Sequence, residues 1–196
     1  NGFSVSIGHS GADYQTAMEA LAWGASSFTH LFNAMRGIHH REPGTAAAGL
    51  LSDAYAELIC DGIHVCPEIV GMIYRLKGHG KLVLITDSML ATGLADGAFS
   101  FGGMEITVSH GVARAKNNVL AGSTLLLMNG VKNLMSFTGI PLEEAVLAAT
   151  ANPAAAVGLE RITGSIERGK RADLVVVDED LNVICTICRG TVVYRR

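Results

Sequence analysis

The sequence predicts an α/β protein built around a parallel sheet, with a smaller β layer at its C-terminal end. Short apolar runs alternate with stretches of helical periodicity over most of the chain, which is the order of βα units. The run "KLVLITD" (81–87) is continuous and rich in branched aliphatic residues, as in strands buried on both faces. After residue 172 the helical pattern stops, and alternating runs separated by "DED" and "RG" predict strands and turns.

Four strands are predicted in the first half of the chain, with a helix after the first and another after the third. The strands are "FSVSIG" (3–8), "SSFTHLF" (26–32), "YAELICDG" (55–62) and "KLVLITD" (81–87). The segment "ADYQTAMEALAWG" carries apolar residues at helical spacing, which predicts a helix that ends at Gly24. A further helix is predicted to begin at Pro67, because proline suits a first helical turn.

The second half of the chain is predicted to hold a small β excursion and then more helices. Residues 98–116 combine glycine pairs with short alternating segments, which favours strands and turns. Helices are predicted at 123–137 and 141–150, and a short one in "NPAAAVGL". The hydroxyl of Ser123 is a candidate N-cap for the first of them.

Composition excludes several classes of partner. The 196 residues carry a net charge of −3 and are 49% hydrophobic, as in a globular chain with a large core. The basic residues are scattered, which argues against nucleic acid, and no apolar run approaches the ~20 residues that span a bilayer. The chain begins at Asn1, so we expect further sequence upstream.

The four cysteines leave open a zinc or redox site at "CTIC" (185–188). Residues three apart on a strand point to opposite faces, however, and the pair Cys60 and Cys66 lacks the matching zinc spacing. We therefore expect reduced thiols and a cytoplasmic protein.

A polar residue stands at or just after the end of each of the four predicted strands. His9, His30, His64 and Asp87 come at or after the four successive strands. The carboxyl ends of parallel strands meet on one face, where α/β proteins place their chemistry. Two imidazoles and a carboxylate suit a divalent metal that keeps one position open for water and lowers its pKa. A single histidine at a strand end is more often a hydrogen-bonded structural residue, but the four residues together favour hydrolysis.

Seven short segments, distributed in order along nearly the whole chain, carry a resemblance to a known family. They are "GHS" (8–10), "THLFNAM" (29–35), "DGIHV" (61–65), "LITDSMLATG" (84–93), "LAGS" (120–123), "ATANPAAAVGL" (149–159) and "GSIERGKRADLVVVD" (164–178). With them the chain resembles the amidohydrolase superfamily and, within it, the N-acetylglucosamine-6-phosphate deacetylases. The pair "THLFNAM" and "DGIHV" is specific to that branch, whereas the last two segments are shared across the superfamily.

The resemblance implies a partial (β/α)₈ TIM-type barrel with the C-terminal strands of a small β-sandwich. Residues 1–160 would form the second half of the barrel, and residues 161–196 the sandwich strands. The family's early metal motif and its metal-binding glutamate would precede Asn1, so this chain would be the C-terminal half only. A half barrel exposes sheet edges, and we expect this chain to be inactive alone.

The resemblance also implies a reaction and its residues. The family hydrolyses the acetamide of N-acetylglucosamine-6-phosphate to glucosamine-6-phosphate and acetate, in amino-sugar catabolism. His9 and His30 would be metal ligands, with zinc expected first and iron or cobalt next, and Asp87 would be the acid/base carboxylate. The substrate-binding residues would be Asn33, Ala34, Arg41, Asp61, Gly62, Ile63, His64, Leu120, Ala121 and Gly122.

In this family the counterpart of Arg41 reaches the partner subunit's site, which implies a homodimer.

Two alternative functions remain open from the residues. A deaminase or cyclic-amide hydrolase would share the histidines and Asp87 but has no reason for Arg41 and His64. A binding module would not need Asp87 at all. The neighbouring Arg36, His39 and His40 are interpreted as solvent-exposed loop charges.

Overall fold

The computed structural model of the chain describes residues 2–196, which form three sheets and six α-helices. The largest sheet contains β1 (Val5–Ile7), β2 (Ala25–Phe28), β3 (Tyr55–Ile59) and β4 (Leu82–Ile85). Its strands lie side by side in chain order, and every neighbouring pair is parallel. This is the arrangement of consecutive βα units in part of a barrel, so the predicted fold class is confirmed.

The first three strands are each followed by a helix. These helices are α1 (Tyr14–Ala22), α2 (Gly44–Leu51) and α3 (Pro67–Lys81). The carboxylate of Asp13 caps α1 by accepting the N–H of Thr16 at 2.8 Å. Pro67 begins α3 as predicted, and the helical backbone is interrupted at Gly78, where φ is 64° and ψ is −177°.

Helix α2 was not predicted, and its surroundings explain why. All but the last of its eight residues are buried, so it lacks the polar face that gives a surface helix its periodicity. It packs closely because Gly49 has no side chain. A Cβ at that position would lie 2.5 Å from Leu31 Cδ1 and 3.1 Å from Phe28 Cγ, two residues that are fully buried beneath it.

A buried lysine ties α2 to α3. The side chain of Lys77 is only 7% exposed, and its Nζ donates to the carbonyls of Gly49 at 2.9 Å and Ser52 at 2.7 Å. These carbonyls belong to the C-terminal turn of α2, whose last acceptors have no partner within the helix. Burial lowers the pKa of Lys77 to about 8, although the carboxylate of Asp53 opposes that shift.

The second sheet is an antiparallel insertion that follows β4. It consists of β5 (Gly97–Phe101), β6 (Met104–Ser109) and β7 (Val112–Ala115), close to the predicted β excursion. The insertion has a small core of its own, formed by Ala91, Ile106, Val108 and Ala113.

Helices α4 (Leu127–Thr138), α5 (Leu142–Ala145) and α6 (Ala151–Ala156) follow the insertion, and a 3₁₀ turn joins the last two. The prediction that Ser123 caps the first of them is wrong, because α4 begins four residues later. The Ser123 hydroxyl instead bonds the carbonyl of Thr86 and accepts the Leu125 N–H at 3.1 Å.

The third sheet is formed by β8 (Leu174–Val177), β9 (Val183–Cys188) and β10 (Thr191–Arg195), all antiparallel. Cys185 is buried and Cys188 is exposed, which confirms that the two point to opposite faces of β9. The assignment of residues 161–196 to a separate sandwich domain stays a prediction. Within residues 2–196, none of the helices combines the length and apolar character needed to cross a bilayer.

Candidate active site

His9 and His30 lie together at the carboxyl ends of two neighbouring parallel strands. His9 follows β1, and His30 follows β2. Their ring centroids are 4.8 Å apart, with the rings inclined at 72°. The imidazole of His9 is at an exposed position, whereas His30 is buried. The expectation that these two strands deliver imidazoles to one face is therefore met by the geometry.

Three of the residues at the strand ends share an unusual backbone conformation. The φ angles are 47° at His9, 32° at His30 and 48° at Asp87, all in the left-handed region. Residues other than glycine rarely adopt it, and such strained positions cluster at functional sites. Among the described residues, nine non-glycine positions have positive φ, and these include the three residues that carry the predicted chemistry.

The backbone of Asp87 is clamped by the segment that returns from the insertion. The Asp87 carbonyl accepts the Ser123 N–H at 2.8 Å, and the Met89 N–H donates to the Ser123 carbonyl at 2.9 Å. Gly122 makes this approach possible, because its φ is 66° and an added Cβ would lie 3.0 Å from the Asp87 carbonyl oxygen. The carboxylate-bearing residue is thus held at the end of β4 while its side chain remains exposed.

The surroundings of His30 leave one of its ring nitrogens without a partner. Among the described residues, Nδ1 of His30 is buried and makes no hydrogen bond. A buried polar atom of this kind calls for a partner outside the protein, such as an ion. Two imidazoles suit a borderline-soft divalent cation such as zinc. His9 and His30 are therefore suitable as two of the ligands of a divalent metal ion.

A third ligand is not in place. Across residues 2–196, no group of three or more His, Cys, Asp or Glu side chains is arranged to hold a metal ion. A catalytic zinc site uses three protein ligands, so a site built on His9 and His30 would need one more.

Glu57 is a site neighbour that the sequence reasoning missed. Its backbone carbonyl accepts the Leu31 N–H at 2.8 Å, next to His30. Burial raises the pKa of the Glu57 carboxyl, while the backbone N–H and the imidazole of His30 oppose the shift. The available signal was a charged residue in the middle of an otherwise apolar parallel strand.

The connection after His30 is a tight polar turn. The Asn33 backbone N–H and its side-chain amide both donate to the His30 carbonyl, at 2.9 and 3.2 Å. Ala34 follows in a left-handed conformation, with φ of 50°. Asn33 thus stabilises the turn with its amide N–H groups, while its amide oxygen makes no hydrogen bond among the described residues.

Arg41 lies farther along this connection, at an exposed position. Its Nη1 is 2.7 Å from Nε2 of His40, and its backbone N–H approaches His39 Nδ1 at 3.4 Å. Arg36 instead pairs with Glu42 at 2.7 Å in an exposed ion pair, of the kind that contributes little to stability. Among the described residues, Arg36 is thus paired with a carboxylate, whereas Arg41 contacts only the neighbouring imidazoles.

Asp61 and His64 form a buried pair at the end of β3. Asp61 Oδ2 is 2.7 Å from His64 Nδ1, and Oδ1 accepts the N–H groups of Ile63 and His64, each at 2.8 Å. The side chains are 9% and 7% exposed. Burial works to raise the pKa of Asp61, but the hydrogen bonds from His64 and Ile63 together outweigh it and lower that pKa.

Leu120, Ala121 and Gly122 extend the insertion back towards the parallel sheet. Leu120 pairs with Arg114, and the Ala121 N–H donates to the Ala113 carbonyl at 3.1 Å. Leu120 and Ala121 are thereby paired with β7. The shape of this segment is therefore set by the insertion as well as by Asp87.

The fold and the strand-end residues define a class: a partial (β/α)₈ barrel with its polar residues on the carboxyl-terminal face. The chain belongs to the amidohydrolase family, which matches residues 2–193. It is 41% identical over 195 residues to the N-acetylglucosamine-6-phosphate deacetylase of Vibrio furnissii, covering 99% of this chain and 49% of that one. The chain thus spans about half the length of the curated relatives it matches.

Solved structures give the same picture. The N-acetylglucosamine-6-phosphate deacetylase of Thermotoga maritima superposes with a TM-score of 0.95 at 42% identity, over 100% of this chain and 54% of that one. A mutant of the Mycobacterium smegmatis deacetylase, in complex with N-acetyl-D-glucosamine-6-phosphate, superposes with a TM-score of 0.91 at 40% identity, over 96% and 51%. The barrel prediction is thereby confirmed.

Proposed function

We propose that this chain carries the acid/base carboxylate and two metal ligands of a deacetylase. The reaction is hydrolysis of the acetamide of N-acetylglucosamine-6-phosphate to glucosamine-6-phosphate and acetate. The observation that carries the proposal is the pair His9 and His30, at the ends of adjacent parallel strands in an amidohydrolase chain. The bound sugar phosphate in the similar Mycobacterium smegmatis structure supports the substrate. Since a phosphorylated sugar does not cross membranes freely, we propose the cytoplasm as its compartment.

His9 and His30 would hold a divalent cation, for which zinc is our first choice and iron or cobalt the next. When bound, such a cation polarises the amide carbonyl and lowers the pKa of water. The buried, unpartnered Nδ1 of His30 supports the assignment.

Asp87 would move the protons. Its carboxylate takes a proton from the attacking water and later delivers it to the nitrogen of the leaving amine, which is expelled only when protonated. The exposed side chain and the clamped backbone support this role, because a proton carrier needs access to the substrate and a fixed position.

The remaining residues would bind the sugar phosphate from three segments. These are Asn33 and Ala34 with Arg41, then Asp61 to His64, then Leu120 to Gly122. Arg41 suits a phosphate because its guanidinium stays charged and can bond two oxygens. Its exposed position, beyond the turn that holds Asn33, supports the proposal that it serves the partner site of a homodimer.

The test joins this chain to the part of the Thermotoga maritima deacetylase that it does not match. We expect this chimaera with zinc to release acetate from N-acetylglucosamine-6-phosphate, and the 196-residue chain alone to release none. Asp87→Asn in the chimaera should lower turnover by about 10²–10⁴-fold with substrate binding retained. The matched control is Asp180→Asn, in an exposed turn of the third sheet, which should be neutral.

Other outcomes would favour the alternatives. Turnover of nucleobases or cyclic imides, with none of the acetylated sugar phosphate, would indicate a different amidohydrolase. Ligand binding without turnover, unaffected by Asp87→Asn, would indicate a binding module.

The dimer is tested by mixing two inactive chimaeras. One carries Asp87→Asn, and the other carries Arg41→Gln. If Arg41 serves the partner's site, a mixed dimer contains one site with Asp87 from one subunit and Arg41 from the other, and activity returns. If Arg41 serves its own site, mixing restores nothing.

A further inference from the structure

The end of β3 contains a side chain whose hydrogen-bonding capacity is taken up within the protein. Both carboxylate oxygens of Asp61 are occupied, Oδ1 by two backbone N–H groups and Oδ2 by Nδ1 of His64. With its side chain 9% exposed, Asp61 has little surface to offer a ligand. We propose that Asp61 is a positioning residue that acts through His64, and that His64 meets the ligand through Nε2.

The chemistry of the pair determines which ring nitrogen carries the proton. An ionised carboxylate can only accept hydrogen bonds, so Nδ1 of His64, 2.7 Å away, is the donor. This holds whether the imidazole is neutral or protonated. In the neutral ring Nε2 is then an acceptor, and in the protonated ring it is a second donor.

The geometry also fixes the direction of the ring. The two backbone N–H groups that bond Oδ1 come from Ile63 and His64, so the carboxylate is anchored to the turn that carries the ring. Within the described part of the chain, Nε2 of His64 makes no hydrogen bond and is not a buried unsatisfied atom. Nε2 is therefore the ring atom left for a phosphate or hydroxyl oxygen. That the ligand is a sugar phosphate rests on the proposed function, whereas the positioning role does not.

The experiment reads the proton position directly. The 196-residue chain is labelled with ¹⁵N-histidine, and long-range ¹H–¹⁵N spectra are recorded without substrate, with His64 assigned from His64→Gln. We expect the wild-type proton on Nδ1. In Asp61→Asn the amide no longer enforces this state, so the Nδ1-protonated population should fall and the Nε2–H tautomer, which free histidine prefers, should gain.

The matched control is Asp53→Asn, since the Asp53 side chain is 93% exposed and pairs with Lys81 at 3.1 Å, away from His64. It should leave the His64 signals unchanged. A wild-type proton on Nε2, or an unchanged tautomer in Asp61→Asn, would overturn the proposal. Because no turnover is measured, failure of the deacetylase proposal would leave this result intact, and the reverse also holds.

Discussion

Replacing Gly49 by alanine tests whether α2 is packed against the strand end that carries His30. A methyl group there would lie 2.5 Å from Leu31 Cδ1 and 3.1 Å from Phe28 Cγ, both of which are closer than ordinary contact. Overpacking of a buried site costs about 1–3 kcal/mol, and alanine recovers roughly 0.5–1 kcal/mol of helix propensity. Gly49→Ala should therefore lower the free energy of unfolding by about 1–2 kcal/mol.

The matched control is Gly130→Ala, at a buried glycine of α4. An added Cβ there meets Leu125 Cδ2 at 3.6 Å, which is ordinary contact, so the helix term alone should raise stability by about 0.5–1 kcal/mol. Urea unfolding followed by circular dichroism measures both variants. Opposite signs are expected, and a Gly49→Ala chain as stable as Gly130→Ala would refute the packing argument.

Three further predictions concern pH, backbone strain and metal. Since burial holds the pKa of Lys77 near 8, below its ordinary 10.5, the unfolded chain binds more protons between these values. From pH 8 to 10.5 the free energy of unfolding of the wild type should therefore rise by on the order of 1–3 kcal/mol relative to that of Lys77→Met. A difference between the two proteins that does not change with pH in urea unfolding would count against the prediction. Gly122→Ala should lower the free energy of unfolding, measured in urea, more than Gly139→Ala does. Both glycines have positive φ, but only at Gly122 would the added Cβ lie against a backbone oxygen, that of Asp87. Zinc should raise the thermal midpoint of the wild-type chain and of His110→Asn but not that of His9→Asn, and equal shifts would exclude the imidazole pair as ligands.

The sequence predicted the four strands of the parallel sheet, of which β4 is a continuous apolar run and β1 to β3 include polar residues. It missed α2, because a helix buried on every side has no polar periodicity to detect. It misplaced the start of α4, because Ser123 looks like a local cap but bonds Thr86, 37 residues away. Long-range partners of this kind are not encoded in local pattern.

The same limit applies to the candidate site. His9 and Asp87 could be predicted from the runs that they follow or end, whereas His30 lies inside the predicted strand 26–32 and comes beyond the strand only because β2 ends at Phe28. Contact between the two imidazoles depends on the register of β1 against β2, which only the fold supplies. The pairing of Asp61 with His64 depends on the conformation of the turn that joins them, so the resemblance gave the two residues only as separate substrate contacts.

The antiparallel insertion enters and leaves the sheet through one clamp, where Asp87 and Met89 bond to Ser123. Because both ends are tied there, changes in the length of the connection carry only a small entropic cost, about 0.6 kcal/mol for each doubling. Its last strand, β7, also pairs with Leu120 and Ala121. The insertion is thus a module whose outer turns can change in length while its base stays fixed beside the end of β4. If Leu120 to Gly122 bind the sugar phosphate as proposed, grafting the insertion between related barrels would change ligand choice while Asp87 keeps its place.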